Sequence, residues 1–95
     1  MLTSKQRATL RSMANNMDSI MQVGKSGIGE ELVTSVDNAL EARELIKMTV
    51  LETAPLTARD TAEELAAAVG ADVVGVVGRK MILFRPSKKK PKITL

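Results

Sequence analysis

One four-residue segment, Gly24-Lys25-Ser26-Gly27, combines residue types that can hold an anion. Glycine permits positive φ angles and a close approach by another backbone, while Lys25 supplies a positive charge and Ser26 a hydroxyl group. A helix predicted to start near Gly29 would leave its first amide N–H groups free and add a partial positive charge. The segment therefore predicts a phosphate-binding nest, although its spacing is equally typical of a plain turn between a strand and a helix.

Two kinds of phosphate-binding loop share parts of this pattern. The nucleotide-binding P-loop ends in Gly-Lys-Ser but needs a glycine five residues earlier, where this chain has Ser19. Residues 20–23 also have the apolar character of a strand, and 95 residues leave little room for a nucleoside triphosphatase sheet. The GxxG spacing is instead found in loops that clamp a nucleic-acid backbone. We therefore favour a nucleic-acid ligand, and a phosphate-using enzyme is the least favoured alternative.

Basic residues are concentrated near the two ends of the chain. Residues 79–95 hold seven basic residues and no acidic one, whereas residues 30–78 hold ten acidic residues against three basic ones. This segregation predicts a positive side, which on a small protein most often contacts nucleic acid, although a lysine-rich tail can also be a solvated surface. Besides the loop, we predict nucleic-acid contacts for eight basic residues: Lys5, Arg7, Arg11, Arg79, Lys80, Lys88, Lys89 and Lys90.

The acidic middle of the chain suggests a second function, a protein-binding adaptor that uses the face formed by residues 30–64. The polar face of the predicted second helix carries Glu30, Glu31, Asp37 and Glu41. The two functions predict opposite dependences. Nucleic-acid binding should weaken with salt and with loss of Lys25, whereas adaptor binding should depend on the glutamates and ignore the loop.

Composition excludes several kinds of chemistry. The chain has no cysteine and no histidine, so disulfides, thiol or imidazole catalysis and the common zinc sites are excluded. We predict no catalytic residues, no metal, no cofactor and no enzymatic activity. Because Phe84 is the only aromatic residue, base stacking cannot be a major source of affinity. Binding is therefore expected to depend on phosphates and shape, and to fall steeply with salt.

A length of 95 residues is sufficient for one domain. No apolar run approaches the roughly 18–20 residues of a membrane-spanning helix. The first residues also lack the apolar stretch of a secretion signal, so we expect a cytoplasmic protein without a membrane partner. Residues 1–87 are predicted to form the domain. Residues 88–95, with four lysines and Pro91, are predicted to form a basic flexible tail.

Hydrophobic periodicity and capping signals divide the domain into seven elements. Thr3 and Gln6 can form a capping box before the first helix, Thr57 can cap the third, and Gly70 can end it. The prediction is a single layered α/β domain of order α-β-α-β-α-β-β, with a four-stranded mixed sheet whose last strand is antiparallel to its neighbour. Predicted helices begin near Ser4, Gly29 and Thr57, and predicted strands cover residues 19–23, 45–51, 72–77 and 80–85.

Apolar spacing in the first helix predicts which side chains face the core. Four residues recur at helical intervals and are predicted to lie inward: Leu10, Met13, Ala14 and Met17. Arg7 and Arg11 lie one turn apart on the other side, where repulsion between two like charges is tolerable and becomes useful if an anion binds there.

Four blocks of this sequence, in this order, resemble the motifs of a known family. The blocks are Leu2-Thr3-Ser4-Lys5-Gln6-Arg7, Val23-Gly24-Lys25-Ser26-Gly27-Ile28, Glu41-Ala42-Arg43-Glu44-Leu45-Ile46-Lys47 and Val77-Gly78-Arg79-Lys80-Met81-Ile82-Leu83-Phe84-Arg85-Pro86. Over residues 2–87 the chain resembles bacterial YhbY-type proteins, which are stand-alone CRM (chloroplast RNA splicing and ribosome maturation) domains. The resemblance implies an α/β sandwich similar to the C-terminal domain of translation initiation factor three.

The same resemblance implies a function and a site. Bacterial members of the family are RNA-binding proteins associated with precursors of the large ribosomal subunit, and the GxxG loop is the expected RNA contact. In this chain that loop is Gly24, Lys25, Ser26 and Gly27. The chain departs from the family at residues 15–19, where a histidine and a proline are common. Asp18 adds a negative charge there, close to the expected RNA surface, and is expected to weaken or retune binding.

Overall fold

The computed structural model describes residues 2–94 and has three helices packed on a four-stranded mixed sheet. The predicted order α-β-α-β-α-β-β is confirmed. The first strand is shorter than predicted: residues 19 and 20 precede it, and Ser19 Oγ donates a hydrogen bond to the Met21 carbonyl oxygen. The elements are α1 (Ser4–Ala14), β1 (Met21–Val23), α2 (Glu30–Arg43), β2 (Leu45–Val50), α3 (Ala58–Val69), β3 (Asp72–Val77) and β4 (Lys80–Phe84).

Strand directions divide the molecule into two ends. The strand order is β1-β2-β4-β3, and β4 is antiparallel to both of its neighbours, whereas β1 and β2 are parallel. The segments that follow β1, β2 and β3 therefore lie together, at what we call the loop end: residues 24–29, 51–57 and 78–79. The chain leaves β4 at the opposite end. We call residues 87–93 the strap and that side of the molecule the strap end.

The sheet separates two apolar clusters because side chains alternate along each strand. On one face Ile46 and Met48 pack with α2 and α3, whose Leu40 and Leu65 are fully buried. On the other face α1 packs through its own buried residues, and this cluster consists of Leu10, Ala14, Leu45, Val74, Ile82 and Phe84. The sheet is thus covered on both faces.

Several predicted helix and turn signals are confirmed at atomic detail. The Thr3 and Gln6 side chains make both hydrogen bonds of a capping box, and the Thr57 hydroxyl accepts from the Asp60 amide. Gly70 ends α3 with a φ of 68°, and Gly78 takes a φ of 59° in the hairpin turn. Both angles lie in the left-handed region, where glycine has the lowest cost.

One prediction about a helix face is wrong, and another is incomplete. Met13 is 44% exposed because α1 contacts the sheet along the line of Leu10 and Ala14, and Met13 lies at the rim of that contact. In α2, Asp37 and Glu41 are not on a free polar face, because both bind the buried Arg85 guanidinium. A periodicity argument cannot anticipate a charged partner that is more than 40 residues away in the chain.

Candidate nucleic-acid interface

The Gly24–Gly27 segment forms a closed turn at the loop end. The Gly27 N–H donates to the Gly24 carbonyl oxygen at 2.9 Å, and the two residues between them, Lys25 and Ser26, form an exposed tip. No carboxylate of the described residues lies within 4 Å of the Lys25 ammonium group. The turn therefore presents a positive charge and a hydroxyl group that make no ion pair or hydrogen bond with the described residues.

The two glycines of this turn have different roles. Gly27 has a φ of 68°, and a β-carbon at this position would lie 2.8 Å from Pro55 Cγ. A β-carbon at Gly24 would make only an ordinary contact, 3.7 Å from Leu51 Cδ1. Gly27 is therefore required by the fold, through its backbone angle and the close approach of residues 51–57. Gly24 is not required on steric grounds, which leaves it free to serve a ligand.

The helix start contributes less positive potential than the sequence suggested. Helix α2 begins at Glu30, three residues after the turn, and its N-cap Gly29 has no side chain to cap the first amides. Glu30 and Glu31 both lie in the first turn of α2, and two carboxylates there already complement the helix dipole. Lys25 is consequently the main local attraction for an anion at this loop.

Two more of the predicted cations share the loop end. Lys80 opens β4 and is exposed, and Arg79 lies in the hairpin turn before it. Arg79 pairs with Glu52 at 2.9 Å, with 55% and 81% of the two side chains exposed. An ion pair this exposed contributes at most about 1 kcal/mol, so a phosphate can compete for the guanidinium.

The two arginines of α1 lie over strand β3, at the far edge of the sheet from β1. The Arg11 side chain crosses the strand at Gly75, where a β-carbon would lie 3.3 Å from Arg11 Nε. Arg7 and Arg59 line one groove along β3. The Arg7 Nε is buried and has no hydrogen-bond partner among the described residues. These arginines form a group separate from the turn.

The remaining predicted cations lie at the strap end. Lys5 shares a groove with Thr94, and Lys88, Lys89 and Lys90 follow the sheet immediately. Helix α2 connects the two ends, and its 14 residues correspond to about 20 Å. The predicted site residues therefore form three groups rather than one patch: the loop end, the edge of β3 and the strap end.

Glu44 is a residue whose importance the sequence analysis missed. It is fully buried and has a φ of 66°, the one positive φ of a non-glycine among the described residues. Its carboxylate accepts backbone N–H groups of Ser87, Lys92 and Ile93 at 2.6–2.8 Å. Burial raises the pKa of Glu44, but these hydrogen bonds outweigh it and the net shift is downward. Three donors thus keep a buried carboxylate ionised.

Glu41 binds the strap one turn earlier. Its carboxylate accepts from Ser87 Oγ at 2.6 Å and from the backbone N–H groups of Lys88 and Lys89. The pKa of Glu41 is lowered to about 2. The largest cause is the hydrogen bond from the Ser87 hydroxyl, and the Lys88 and Lys89 amides and the Arg85 charge lower it further. The segment predicted to be a flexible tail from residue 88 therefore lies along α2, tied through its backbone.

Residues 2–94 contain no group of three or more histidine, cysteine, aspartate or glutamate side chains that could hold a metal ion. No helix in this range has the length and apolarity needed to cross a membrane.

Known proteins similar to this chain agree with the resemblance. Residues 2–85 match the CRS1 / YhbY (CRM) domain. The probable RNA-binding protein YqeI of Bacillus subtilis is 39% identical over 95 residues, covering 100% of this chain and 99% of that protein. The probable RNA-binding protein MJ0652 of Methanocaldococcus jannaschii is 40% identical over 100 residues, covering 96% of this chain and 74% of that protein.

A solved structure extends this agreement to three dimensions. The solution structure of hypothetical protein SAV1595 from Staphylococcus aureus, described as a candidate RNA-binding protein, superposes with a TM-score of 0.80 at 40% identity. The match covers 100% of this chain and 99% of that one. A domain match over residues 2–85, together with relatives similar over their whole length, places this chain in the CRS1/YhbY (CRM) domain family.

Proposed function

We propose that this protein binds RNA through phosphate contacts at the Gly24–Gly27 turn. The observation that carries the proposal is the exposed Lys25-Ser26 tip, which the fold holds in one conformation and leaves without a partner among the described residues. The names of the relatives, which are probable or candidate RNA-binding proteins, support the same ligand. Arg79 and Lys80 add positive charge at the same end of the sheet.

The biological setting follows from the family resemblance. We propose that the RNA is ribosomal RNA in precursors of the large subunit, that the protein acts in the cytoplasm as an assembly factor, and that it has no catalytic role. If the protein is an assembly factor, it should co-sediment with large-subunit precursors and should be absent from mature subunits. Equal amounts on both particles would contradict a role restricted to assembly.

The adaptor function is less well supported. Its acidic face was expected to include Glu41, but that carboxylate is occupied by the strap, and Asp37 is bound to Arg85. Glu30 and Glu31 remain exposed at the loop end, next to the turn. The surface left to a basic protein partner is therefore smaller than residues 30–64 suggested.

Binding to structured fragments of large-subunit ribosomal RNA across a salt titration tests the proposal. We expect affinity to fall steeply with salt, and Lys25→Ala to weaken binding and lower the slope of log K against log salt by about 1. Arg43→Ala is the charge-matched control, since Arg43 is exposed at the end of α2 and outside the predicted set. Equal effects of both substitutions would show that net charge alone acts, and would contradict a site at the turn.

Two glycine substitutions address how closely a phosphate approaches the backbone of the turn. Gly24→Ala adds a methyl group that the fold accommodates, so a loss of RNA affinity without a loss of stability would indicate that a phosphate approaches the backbone there. Retained affinity would contradict close backbone contact at Gly24. Gly27→Ala cannot make this distinction, because it also perturbs the fold.

A further inference from the structure

The strap presents its lysines in an unusual way: carboxylates bind its backbone and not its ammonium groups. Glu41 and Glu44 together accept backbone N–H groups from five strap residues: Ser87, Lys88, Lys89, Lys92 and Ile93. Among the described residues, no carboxylate lies within 4 Å of the ammonium groups of Lys88, Lys89, Lys90 or Lys92.

Other contacts fix both ends of the strap. At its start Ser87 is buried, and Ser87 Oγ also accepts the amides of Lys89 and Lys90, forming a compact turn. At its end Ile93 packs against the cluster beneath α1. The Lys92 Nζ donates to the Ala42 carbonyl oxygen at 3.2 Å. The intervening Lys88, Lys89 and Lys90 side chains are exposed.

This arrangement matters because a disordered tail must lose conformational freedom when it binds a polyanion. A segment already held in one conformation avoids most of that cost, and its charges act together from the first contact. From the family match alone, a lysine-rich tail would be expected to attract RNA only through its overall charge. The hydrogen bonds to Glu41 and Glu44 instead make it part of a surface with fixed geometry.

We propose that Glu41 and Glu44 are positioning residues for RNA binding, which hold Lys88, Lys89 and Lys90 as a second phosphate-binding surface about one α2 length from the turn. This inference rests on the proposed function and adds to it a requirement on the RNA. A ligand that engages both surfaces must present phosphates about 20 Å apart, the length of the 14-residue α2. A folded or double-helical RNA meets this requirement, and a mononucleotide does not.

The test relies on Glu41→Gln, for which general electrostatics and a positioning role predict opposite changes in RNA affinity. Replacing an acidic residue raises the net charge by one, so by general electrostatics Glu41→Gln should strengthen binding to RNA. If Glu41 positions the strap, Glu41→Gln should weaken binding by about threefold or more, because order in the strap is lost. Glu64→Gln is the matched control. Glu64 is exposed on α3, has no hydrogen bond or ion pair among the described residues, and should give equal or tighter binding.

Two further variants separate positioning from general destabilisation. Ser87→Ala removes the 2.6 Å hydrogen bond to Glu41 without changing net charge, and should weaken RNA binding in the same direction as Glu41→Gln. In a chain with Lys88, Lys89 and Lys90 all replaced by alanine, Glu41→Gln should no longer weaken binding, and should act as Glu64→Gln does in the same background. A persisting loss of affinity there would show that Glu41 acts through the fold as a whole, and would overturn the inference.

The outcomes also separate this inference from the proposed function. If the native chain does not bind structured RNA at low salt, the proposed function fails and the inference with it. If the native chain binds and Lys25→Ala weakens it, while Glu41→Gln tightens binding as Glu64→Gln does, the function stands and the inference is overturned. Weaker binding by Glu41→Gln and Ser87→Ala, with Glu64→Gln unaffected or tighter, supports the positioning role.

Discussion

The turn and the strap are both lysine-bearing segments outside regular secondary structure, but different forces fix them. The Gly24–Gly27 turn has one internal backbone hydrogen bond and depends on a left-handed glycine packed against Pro55. The strap has no special backbone angle of its own, and depends on the charged oxygens of Glu41 and Glu44. Sterics determine the first conformation, and electrostatics determine the second.

This difference has consequences for how each segment responds to its surroundings. A conformation set by hard contacts is insensitive to pH and salt, whereas hydrogen bonds to carboxylates weaken once the carboxylates are protonated. The two segments also differ in which substitution perturbs them. An added methyl group at Gly27 perturbs the turn, whereas loss of the Glu41 or Glu44 carboxylate releases part of the strap. Substitutions and acid should therefore affect the turn and the strap differently.

Loss of Glu44 should cost the most stability. Glu44→Ala removes the acceptor for one buried and two partly buried backbone N–H groups, and a buried donor left unsatisfied costs roughly 1–3 kcal/mol. Alanine and glutamate are both disfavoured at a positive φ, so the backbone contribution to the change in stability largely cancels. We expect the free energy of unfolding, measured by denaturant titration, to fall by about 3 kcal/mol. Glu64→Ala, on the exposed side of α3, should stay within about 0.5 kcal/mol of the native chain.

A small change for Glu44→Ala would contradict this comparison. If stability fell by less than about 1 kcal/mol, the N–H groups of the strap would have found water instead, and the strap would be an accessory to the fold rather than a part of it. Amide hydrogen exchange at Lys92 and Ile93 would then be fast in the native chain as well.

At the turn, the two glycines should differ sharply. Gly27→Ala forces a side chain into the left-handed region and against Pro55, and we expect a loss of about 1–2 kcal/mol in the free energy of unfolding. Gly24→Ala should change it by less than about 0.5 kcal/mol, since its β-carbon has room. Adding Pro55→Ala to Gly27→Ala should recover the part of the loss due to the contact and leave the part due to φ. Equal losses for both glycines would mean that the turn is not held as described.

Local signals were sufficient for most of the fold. The capping pair Thr3 and Gln6 and the stop at Gly70 were predicted because each depends on residues within one or two turns. Lys47 shows where local signals end. Its Nζ donates to the carbonyl oxygens of Ala14 and Met17, at and just after the end of α1. These partners lie 30 or more residues away in the chain and have no local signature.

The strap could not be predicted for the same reason. Its lysines, Pro91 and C-terminal position are the usual signature of a mobile tail, and the residues that hold it lie more than 40 positions earlier. Nothing in the composition distinguishes Glu41 and Glu44 from the solvated glutamates of α3. Only the fold brings the end of α2 and the exit of β4 together, because β2 and β4 pair with Leu45 opposite Phe84.

Acid should release the strap and leave the turn unchanged. This is the smallest of the three expected effects and the most direct contrast between the two segments. The pKa of Glu41 is lowered from 4.5 to about 2, mainly by the Ser87 hydroxyl and the Lys88 amide. A lowered pKa means that the stabilisation is complete above pH 4.5 and is lost as the pH falls toward 2. We expect the amide NMR signals of Lys88 and Lys89 to move with a midpoint near pH 2, together with the Glu41 carboxyl carbon.

The Glu41→Gln variant provides the control for this titration. Its Lys88 and Lys89 signals should already lie near their low-pH positions at neutral pH, and should not move in that range, because a neutral amide replaces the carboxylate. The Lys92 and Ile93 amides report on Glu44 separately, and should keep their own acid transition in this variant. If the amide signals of Lys88 and Lys89 instead move with a midpoint near pH 4.5 in the native chain, Glu41 does not hold the strap in solution. The contrast between a sterically fixed turn and an electrostatically fixed strap then fails at Glu41.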